Sequence, residues 1–116
     1  MVSNAINRGD VFLANLGFDG SSRQGGKRPV VIISNQMCNI NSSIVSVVCL
    51  TTSKTKANLP THIKLLARET GLRYDSICLC EQPMSISKSG LVEYITRLGF
   101  DHMRKVDDGL RCQLCL

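Results

Sequence analysis

Aromatic residues are scarce in this sequence, which has no tryptophan, two tyrosines and three phenylalanines. The core of a chain of 116 residues must therefore consist mainly of Val, Ile and Leu, a composition that favours strands. Long hydrophobic runs are also absent, because stretches such as PVVII and IVSVVCL are far shorter than a membrane span. The length suits one core, so we expect a single domain over residues 1–116.

A secretion signal is missing as well, because MVSNAINRGDVF has no basic segment followed by an apolar one. We therefore expect a cytoplasmic protein with no membrane partner. The charges are unequal: 14 Lys and Arg residues against 9 Asp and Glu residues give a formal net charge of +5. This excess fits an anionic partner, either nucleic acid or an acidic protein segment, although many small basic proteins bind neither.

The common catalytic motifs are absent, because the sequence contains no P-loop, GxGxxG, HExxH, EF-hand or GxSxG pattern. Its carboxylates are scattered, so we expect no metal-dependent nuclease site and no cofactor. Two histidines, His62 and His102, leave RNA cleavage by a histidine acid–base pair formally open. However, His102 falls in the first turn of a predicted helix, where capping or exposure is more usual. His62 falls on the polar face of a predicted strand, where a hydrogen-bonded scaffold role is more usual.

Cysteine is unusually frequent, with six residues that are expected to be reduced in the cytoplasm. Cys49 lies in an apolar run, and Cys78 and Cys80 alternate so that both should point to one face of a strand. We predict that these three are buried hydrophobic residues. Cys112 and Cys115 have the spacing of a zinc-binding pair, but no second such pair exists. We therefore expect no zinc site, and a disulfide between them only under oxidising conditions.

Apolar alternation and turn residues divide the chain into short strands separated by loops. The predicted strands cover 10–16, 29–35, 43–51, 61–67 and 75–82, with a short strand and a helical turn in 83–99. The connections are too short for crossover helices, so the pairing should be largely antiparallel. The predicted fold class is mainly β (α+β): a small, strongly bent antiparallel sheet or partly open barrel with a C-terminal helix.

That C-terminal helix is predicted over 101–114, with Asp101 as its N-cap. Its apolar residues recur at spacings of three and four, which produces a single stripe for packing. The stripe consists of Met103, Val106, Leu110 and Leu114. Gly109, in the middle of the helix, weakens it by about 1 kcal/mol relative to alanine.

Five blocks of sequence, in this order, carry a more specific signal: RGDVFLANL, GGKRPVVIISN, LTTSKTKANLPTHI, GLRYDSICLCEQ and DHMRKVDDGL. Together they resemble the MazF/PemK (Kid) family of toxin endoribonucleases, from about Arg8 to Leu110. The resemblance implies an SH3-like, CcdB/MazF-type toxin fold and a homodimer. It also implies metal-independent, sequence-specific cleavage of single-stranded RNA (mRNA), leaving 2′,3′-cyclic phosphate and 5′-hydroxyl ends. The partner would be a cognate antitoxin whose acidic, disordered segment covers the RNA groove.

The resemblance also implies the site residues. Arg28, in the GG-x-RP pattern, and Thr51, which ends the third strand, would be catalytic, although a one-residue slip would exchange Thr51 for Thr52. The remaining RNA-binding residues would be Arg23, Gln24, Lys27, Thr52, Lys54, Lys56 and Gln82. A guanidinium presents a planar fork of donors that suits phosphate oxygens, but it is a poor base, so the general base stays open.

The sequence departs from the family pattern at positions expected to bind RNA, whereas Arg28 and Thr51 are retained. Arg23 replaces an acidic residue of many relatives, and Met84 and Ser87 replace an Arg and an acid. Phe18 and Tyr74 are the only aromatic residues near the predicted groove, so recognition should depend on hydrogen bonds and shape. The alternatives are a CcdB-like toxin that binds DNA gyrase through its C-terminal helix, or a degenerate module that binds RNA or antitoxin without cutting.

Overall fold

The computed structural model describes residues 5–17, 26–52 and 58–116. Within these ranges, seven strands and three α-helices follow one another along the chain. They are β1 (Asp10–Asn15), β2 (Lys27–Ile32), α1 (Gln36–Asn41), β3 (Ile44–Thr51), β4 (His62–Leu65), α2 (Ala67–Thr70), β5 (Ser76–Leu79), β6 (Met84–Ser87), β7 (Leu91–Arg97) and α3 (Phe100–Leu114). No helix in these ranges combines the length and the apolar character needed to span a membrane.

The strands form one sheet in the order β4-β5-β3-β2-β1-β7, with β6 also paired to β3, and every pairing is antiparallel. Along β3, Leu50 lies opposite Cys78 of β5 and Val47 lies opposite Met84 of β6. Residues 48 and 49 of β3 thus lie opposite a longer segment, residues 79–83, which includes the end of β5 and the turn that leads to β6. Strand β3 therefore pairs with β5 near its C-terminal end and with β6 near its N-terminal end.

Both faces of the central strands are apolar, which explains the continuous run of branched residues in β2. Val30 and Ile32 join one cluster with residues of β1, β3 and β7, whereas Val31 joins the cluster beneath α3. Val106 and Leu110 of α3 cover that second cluster. The predicted antiparallel sheet with a C-terminal helix is confirmed, and it has a buried layer on each side.

The predicted burial of three cysteines is also confirmed. Cys49, Cys78 and Cys80 are buried, and Cys78 and Cys80 belong to the same cluster with their sulfur atoms 3.9 Å apart. Cys112 and Cys115 are exposed and free. The three buried thiols therefore fill space in the core as small hydrophobic side chains.

Four local predictions are wrong. Residues 67–70 form the one-turn helix α2, although Ala67 was expected to end a strand and residues 68–75 to form a turn, and residues 91–97 form a strand longer than expected. Helix α3 begins after Gly99 as its N-cap, so Asp101 lies in the first turn instead. Leu114 is 54% exposed and does not continue the buried stripe.

Candidate active site

Arg28 and Thr51 are brought together by the pairing of β2 with β3. Val30 lies opposite Cys49, and extending this register by two residues places Arg28 opposite Thr51. Because side chains alternate along a strand, both residues share the face of Val30 and Cys49. The sheet thus presents a cation and a hydroxyl side by side where its apolar face ends.

A cavity of about 170 Å³ opens at this place, and we call it the Arg28–Thr51 cavity. It is lined by Lys27, Arg28, Pro29, Leu50, Thr51, Thr52 and Ser76. Three of its residues carry hydroxyl groups and two are cationic, which is a donor set suited to a phosphate group. The sequence prediction had placed four of these residues in the site and had left out Pro29, Leu50 and Ser76.

The two threonines differ in their surroundings. Thr51 is the last residue of β3 and is only 9% exposed, whereas Thr52 is exposed beyond the end of the strand. A side chain held at a buried strand end loses little freedom when it binds a reacting group. The environment therefore favours Thr51 over Thr52 as the fixed hydroxyl of the cavity.

Ser76 is the cavity residue that sequence reasoning missed. Its hydroxyl donates a hydrogen bond of 2.9 Å to the Tyr74 carbonyl, which anchors the start of β5 beside the cavity. The signal for it was present, because Ser76 belongs to the block GLRYDSICLCEQ, which also contains the predicted residue Gln82. Tyr74 itself is 62% exposed at this edge.

The positive charge of Arg28 influences Cys49, which lies two residues before Thr51 on β3. Burial raises the pKa of the Cys49 thiol, and the positive charge of Arg28 partly opposes that increase. The influence of Arg28 reaches the interior face of the sheet, as expected for a half-buried guanidinium. Arg28 is therefore partly buried and close enough to Cys49 to influence its thiol.

The remaining predicted binding residues divide into two groups. Gln82 is exposed in the turn after β5, where its N–H donates to the Leu79 carbonyl at 3.1 Å, and it does not line the Arg28–Thr51 cavity. Four others, Arg23, Gln24, Lys54 and Lys56, lie outside the described residues, as does Phe18.

The two histidines face different carboxylates. His62 Nε2 lies 3.0 Å from Glu81 Oε2, with only 5% of the His62 side chain exposed, which confirms the scaffold role. His102 Nε2 lies 3.7 Å from Glu69 Oε1, and its side chain is only 14% exposed, so the expectation of capping or exposure is wrong. Within residues 5–17, 26–52 and 58–116, no three Asp, Glu, His or Cys side chains are grouped as metal ligands.

Comparison with known proteins identifies the class. The chain belongs to the family of PemK-like, MazF-like toxins of type II toxin–antitoxin systems, whose model matches residues 7–114. The endoribonuclease EndoA of Bacillus subtilis (strain 168) is 40% identical to it over 111 residues, which cover 96% of each chain. The family predicted from the five sequence blocks is thereby confirmed.

Solved structures agree on the fold. An endoribonuclease in complex with its cognate antitoxin, from a mycobacterial species, is 25% identical, with a TM-score of 0.79 and 98% of this chain and 97% of that chain covered. MazF from Deinococcus radiodurans is 19% identical, with a TM-score of 0.78 and 96% of this chain and 97% of that chain covered. The bent sheet with its C-terminal helix is thus the fold of MazF toxins.

Proposed function

We propose that this protein is a toxin endoribonuclease that cleaves single-stranded RNA at short sequence motifs, with the reaction taking place in the Arg28–Thr51 cavity. The observation that carries this proposal is the register that sets Arg28 against Thr51 in one cavity. The relative EndoA, an endoribonuclease by name, supports the same activity. The whole chain, residues 1–116, acts as one toxin domain.

RNA supplies its own nucleophile, the 2′-hydroxyl. The protein therefore needs only to position this group beside the phosphate and to stabilise the transition state, and no protein side chain has to attack the phosphorus. The 2′-oxygen forms a bond to the adjacent phosphorus, and the bond from phosphorus to the 5′-oxygen breaks. The 2′-hydroxyl loses a proton, and the departing 5′-oxygen gains one. The products are a 2′,3′-cyclic phosphate and a 5′-hydroxyl. Charge accumulates on the phosphate oxygens in the transition state, and the guanidinium of Arg28 stabilises it there.

Thr51 supplies a second donor to the same phosphate from the opposite strand. Its burial at the strand end keeps the hydroxyl in place before RNA arrives, so little reorganisation is needed during the reaction. Lys27, exposed at the cavity mouth, attracts the RNA backbone without regard to sequence. Arg28 and the steering charge of Lys27 therefore occupy adjacent positions of β2, and Thr51 faces them from β3.

Partners follow from the same surface. A cognate antitoxin with an acidic, disordered segment would cover the cationic groove, and a solved relative is described as being in complex with its cognate antitoxin. The toxin acts as a cytoplasmic homodimer, and its reaction on mRNA requires no metal.

The test is cleavage of a long single-stranded RNA by the purified protein in excess EDTA, with Arg28→Ala as the control. We expect discrete cuts that end in cyclic phosphates and are absent with Arg28→Ala. Intact RNA with the wild-type protein would contradict the proposal. A gyrase supercoiling assay would then test the CcdB-like alternative.

A further inference from the structure

A compact hydrogen-bonded group lies one short strand away from the Arg28–Thr51 cavity, and we call it the Glu81 cluster: Thr61, His62 and Glu81. The Thr61 hydroxyl donates to Glu81 Oε1 at 3.1 Å, and His62 Nε2 lies 3.0 Å from Glu81 Oε2. Both oxygens of the carboxylate are therefore occupied. Only 20% of the Glu81 side chain and 5% of the His62 side chain are exposed.

The second ring nitrogen of His62 also has a partner. The Leu59 N–H donates to His62 Nδ1 at 3.3 Å, so Nδ1 acts as the acceptor and Nε2 acts as the donor to Glu81. Burial alone would raise the pKa of Glu81, but hydrogen bonds from its own backbone N–H, from His62 and from Thr61 outweigh it and lower that pKa. Glu81 is thus an ionised acceptor with a complete set of donors.

Backbone contacts also join the segment that contains Thr61 and His62 to the segment that contains Glu81. The Cys80 N–H donates to the Thr61 carbonyl at 3.1 Å, and His62 pairs with Leu79 at the end of the β4–β5 ladder. One segment, residues 58–62, comes shortly after the predicted RNA-binding residues Lys54 and Lys56 in the sequence. The other is the turn that carries Gln82. Four contacts therefore hold residues 58–62 against the turn that carries the predicted RNA-binding residue Gln82.

The location relates the cluster to the cavity. Ser76 lines the Arg28–Thr51 cavity, and Leu79, three residues further along β5, pairs with His62. At about 3.3 Å per residue, the cluster lies about 10 Å from the cavity along this strand. Leu59 is 42% exposed, and Gln82 is exposed beside the cluster. These exposed residues form a rim that RNA leaving the cavity would meet.

A carboxylate near a surface that binds RNA is unfavourable for binding, because like charges repel. Both oxygens of Glu81 are occupied by hydrogen bonds, and its side chain is largely buried, so Glu81 does not act through direct contact with RNA. We propose that Glu81 is a positioning residue, whose carboxylate fixes residues 58–62 against the Gln82 turn so that both present one rigid rim to the RNA. This inference rests on the proposed endoribonuclease function.

The experiment compares four variants of the full chain. Glu81→Ala removes the acceptor, whereas Glu81→Gln retains one acceptor for His62 and one donor for the Thr61 hydroxyl. Thr61→Val removes one donor at nearly constant volume. Thr96→Val is the matched control, because it removes a half-buried hydroxyl that donates to the Thr70 carbonyl at 2.9 Å, away from the cluster. The measurements are Tm, kcat and KM on a short RNA substrate, and the ratio of cuts among sites in a long RNA.

We expect Glu81→Ala to raise KM about tenfold and to reduce the preference among cut sites, with a smaller change in kcat. Thr61→Val should change KM and the preference among cut sites in the same direction but by smaller amounts. Glu81→Gln should keep KM and the cut pattern near those of the wild type. Thr96→Val should lower Tm and leave KM and the cut pattern unchanged. If Glu81→Ala proves too unstable to purify, Thr61→Val against Thr96→Val carries the test.

Two outcomes would overturn the inference. Wild-type KM and cut ratios in Glu81→Ala and Thr61→Val, with RNA cleavage intact, would overturn the positioning role alone. Equal changes in all four variants would assign the effect to lost stability and would overturn it too. Absence of cleavage by the wild-type protein would instead overturn the proposed function, and this inference with it.

Discussion

Arg28 on β2 and Thr51 on β3 lie opposite each other in the extended register of the two strands, and both line one cavity of about 170 Å³. The positions are set by backbone pairing and by the apolar face beneath them, not by a contact that one substitution could shift. A donor pair built in this way is preorganised for a phosphate.

Arg28→Ala and Thr51→Ala should each reduce kcat for RNA cleavage by about 100-fold or more, because each removes a fixed donor to the charged transition state. Arg28→Lys should rescue little, since lysine keeps the charge and loses the planar fork. Thr51→Ser should retain most of the activity. The measurement is single-turnover cleavage of a defined RNA, with the fold checked by circular dichroism.

Thr52→Ala is the control for the assignment of the threonine. Thr52 is exposed and next to Thr51, so its loss should change kcat by less than a few fold. The opposite result, with a severe loss in Thr52→Ala and an active Thr51→Ala, would transfer the catalytic role to Thr52.

Lys27 should contribute to RNA affinity through its charge alone. Lys27→Ala should weaken binding to different sequences by similar factors and reduce the slope of log K against log salt by about 0.7, the value for one phosphate contact on a single strand. The assay is titration of an oligonucleotide that carries 2′-deoxyribose at the cut position. Lys105→Ala, on the exposed surface of α3, should leave the slope unchanged. An unchanged slope in Lys27→Ala would remove Lys27 from the interface.

Glu81 should make the stability of the protein depend on pH in the acid range. Its pKa is below the ordinary glutamate value of 4.5, against the effect of burial, because its own backbone N–H, His62 and Thr61 donate to it. The unfolded chain therefore binds more protons in this window. The stabilisation from the carboxylate is complete above pH 4.5 and is lost as the pH falls through the lowered native pKa.

Urea unfolding of the wild type and of Glu81→Gln between pH 7 and about pH 3 measures this contribution. The difference in free energy of unfolding between the two proteins should be constant near neutrality and should shrink below pH 4.5. Thr61→Val, which removes one donor, should weaken the dependence. A difference that stays constant down to pH 3 would show that Glu81 keeps an ordinary pKa in the native state.

Gly109 should be required for the packing of α3. A Cβ atom at this position would lie 2.9 Å from the Cys80 sulfur and 3.3 Å from Ile63 Cγ1. Gly109→Ala gains about 1 kcal/mol of helix propensity, but overpacking of a core costs about 1–3 kcal/mol, so we expect a net loss of stability. The thermal midpoint measures it.

A double-mutant cycle with Cys80→Ala tests the cause. Because Cys80→Ala removes the nearest sulfur, Gly109→Ala should destabilise that background less than it destabilises the wild type. Equal costs in both backgrounds would mean that the sulfur is not the obstacle.

Elements with strong periodicity were predictable from the sequence, and elements that depend on distant partners were not. The continuous apolar run of β2 predicted its burial, and the stripe of α3 predicted the burial of Val106 and Leu110. Helix α2 was missed because one turn has little intrinsic stability. Its Ala67 N–H is satisfied at 2.7 Å by Asp75, and its Thr70 carbonyl accepts at 2.9 Å from Thr96. No local pattern encodes these contacts.

The candidate site shows the same division. Arg28 and Thr51 were named from the resemblance to a family, but only the strand register places them opposite each other. Ser76 entered the cavity through the position of β5, and the partner of His62 turned out to be Glu81, 19 residues away in sequence. Composition and spacing could not indicate either contact.

The sequence by itself determined the strand-rich core, the terminal helix, the excess positive charge and the family, because these follow from residue type and local order. Only the tertiary structure decided which hydroxyl is buried beside Arg28, why Gly109 lies in a helix and what Glu81 holds together. The physical reason is that these contacts depend on how strands register and how α3 packs on the sheet. Register and packing are set by the core as a whole and not by any single segment.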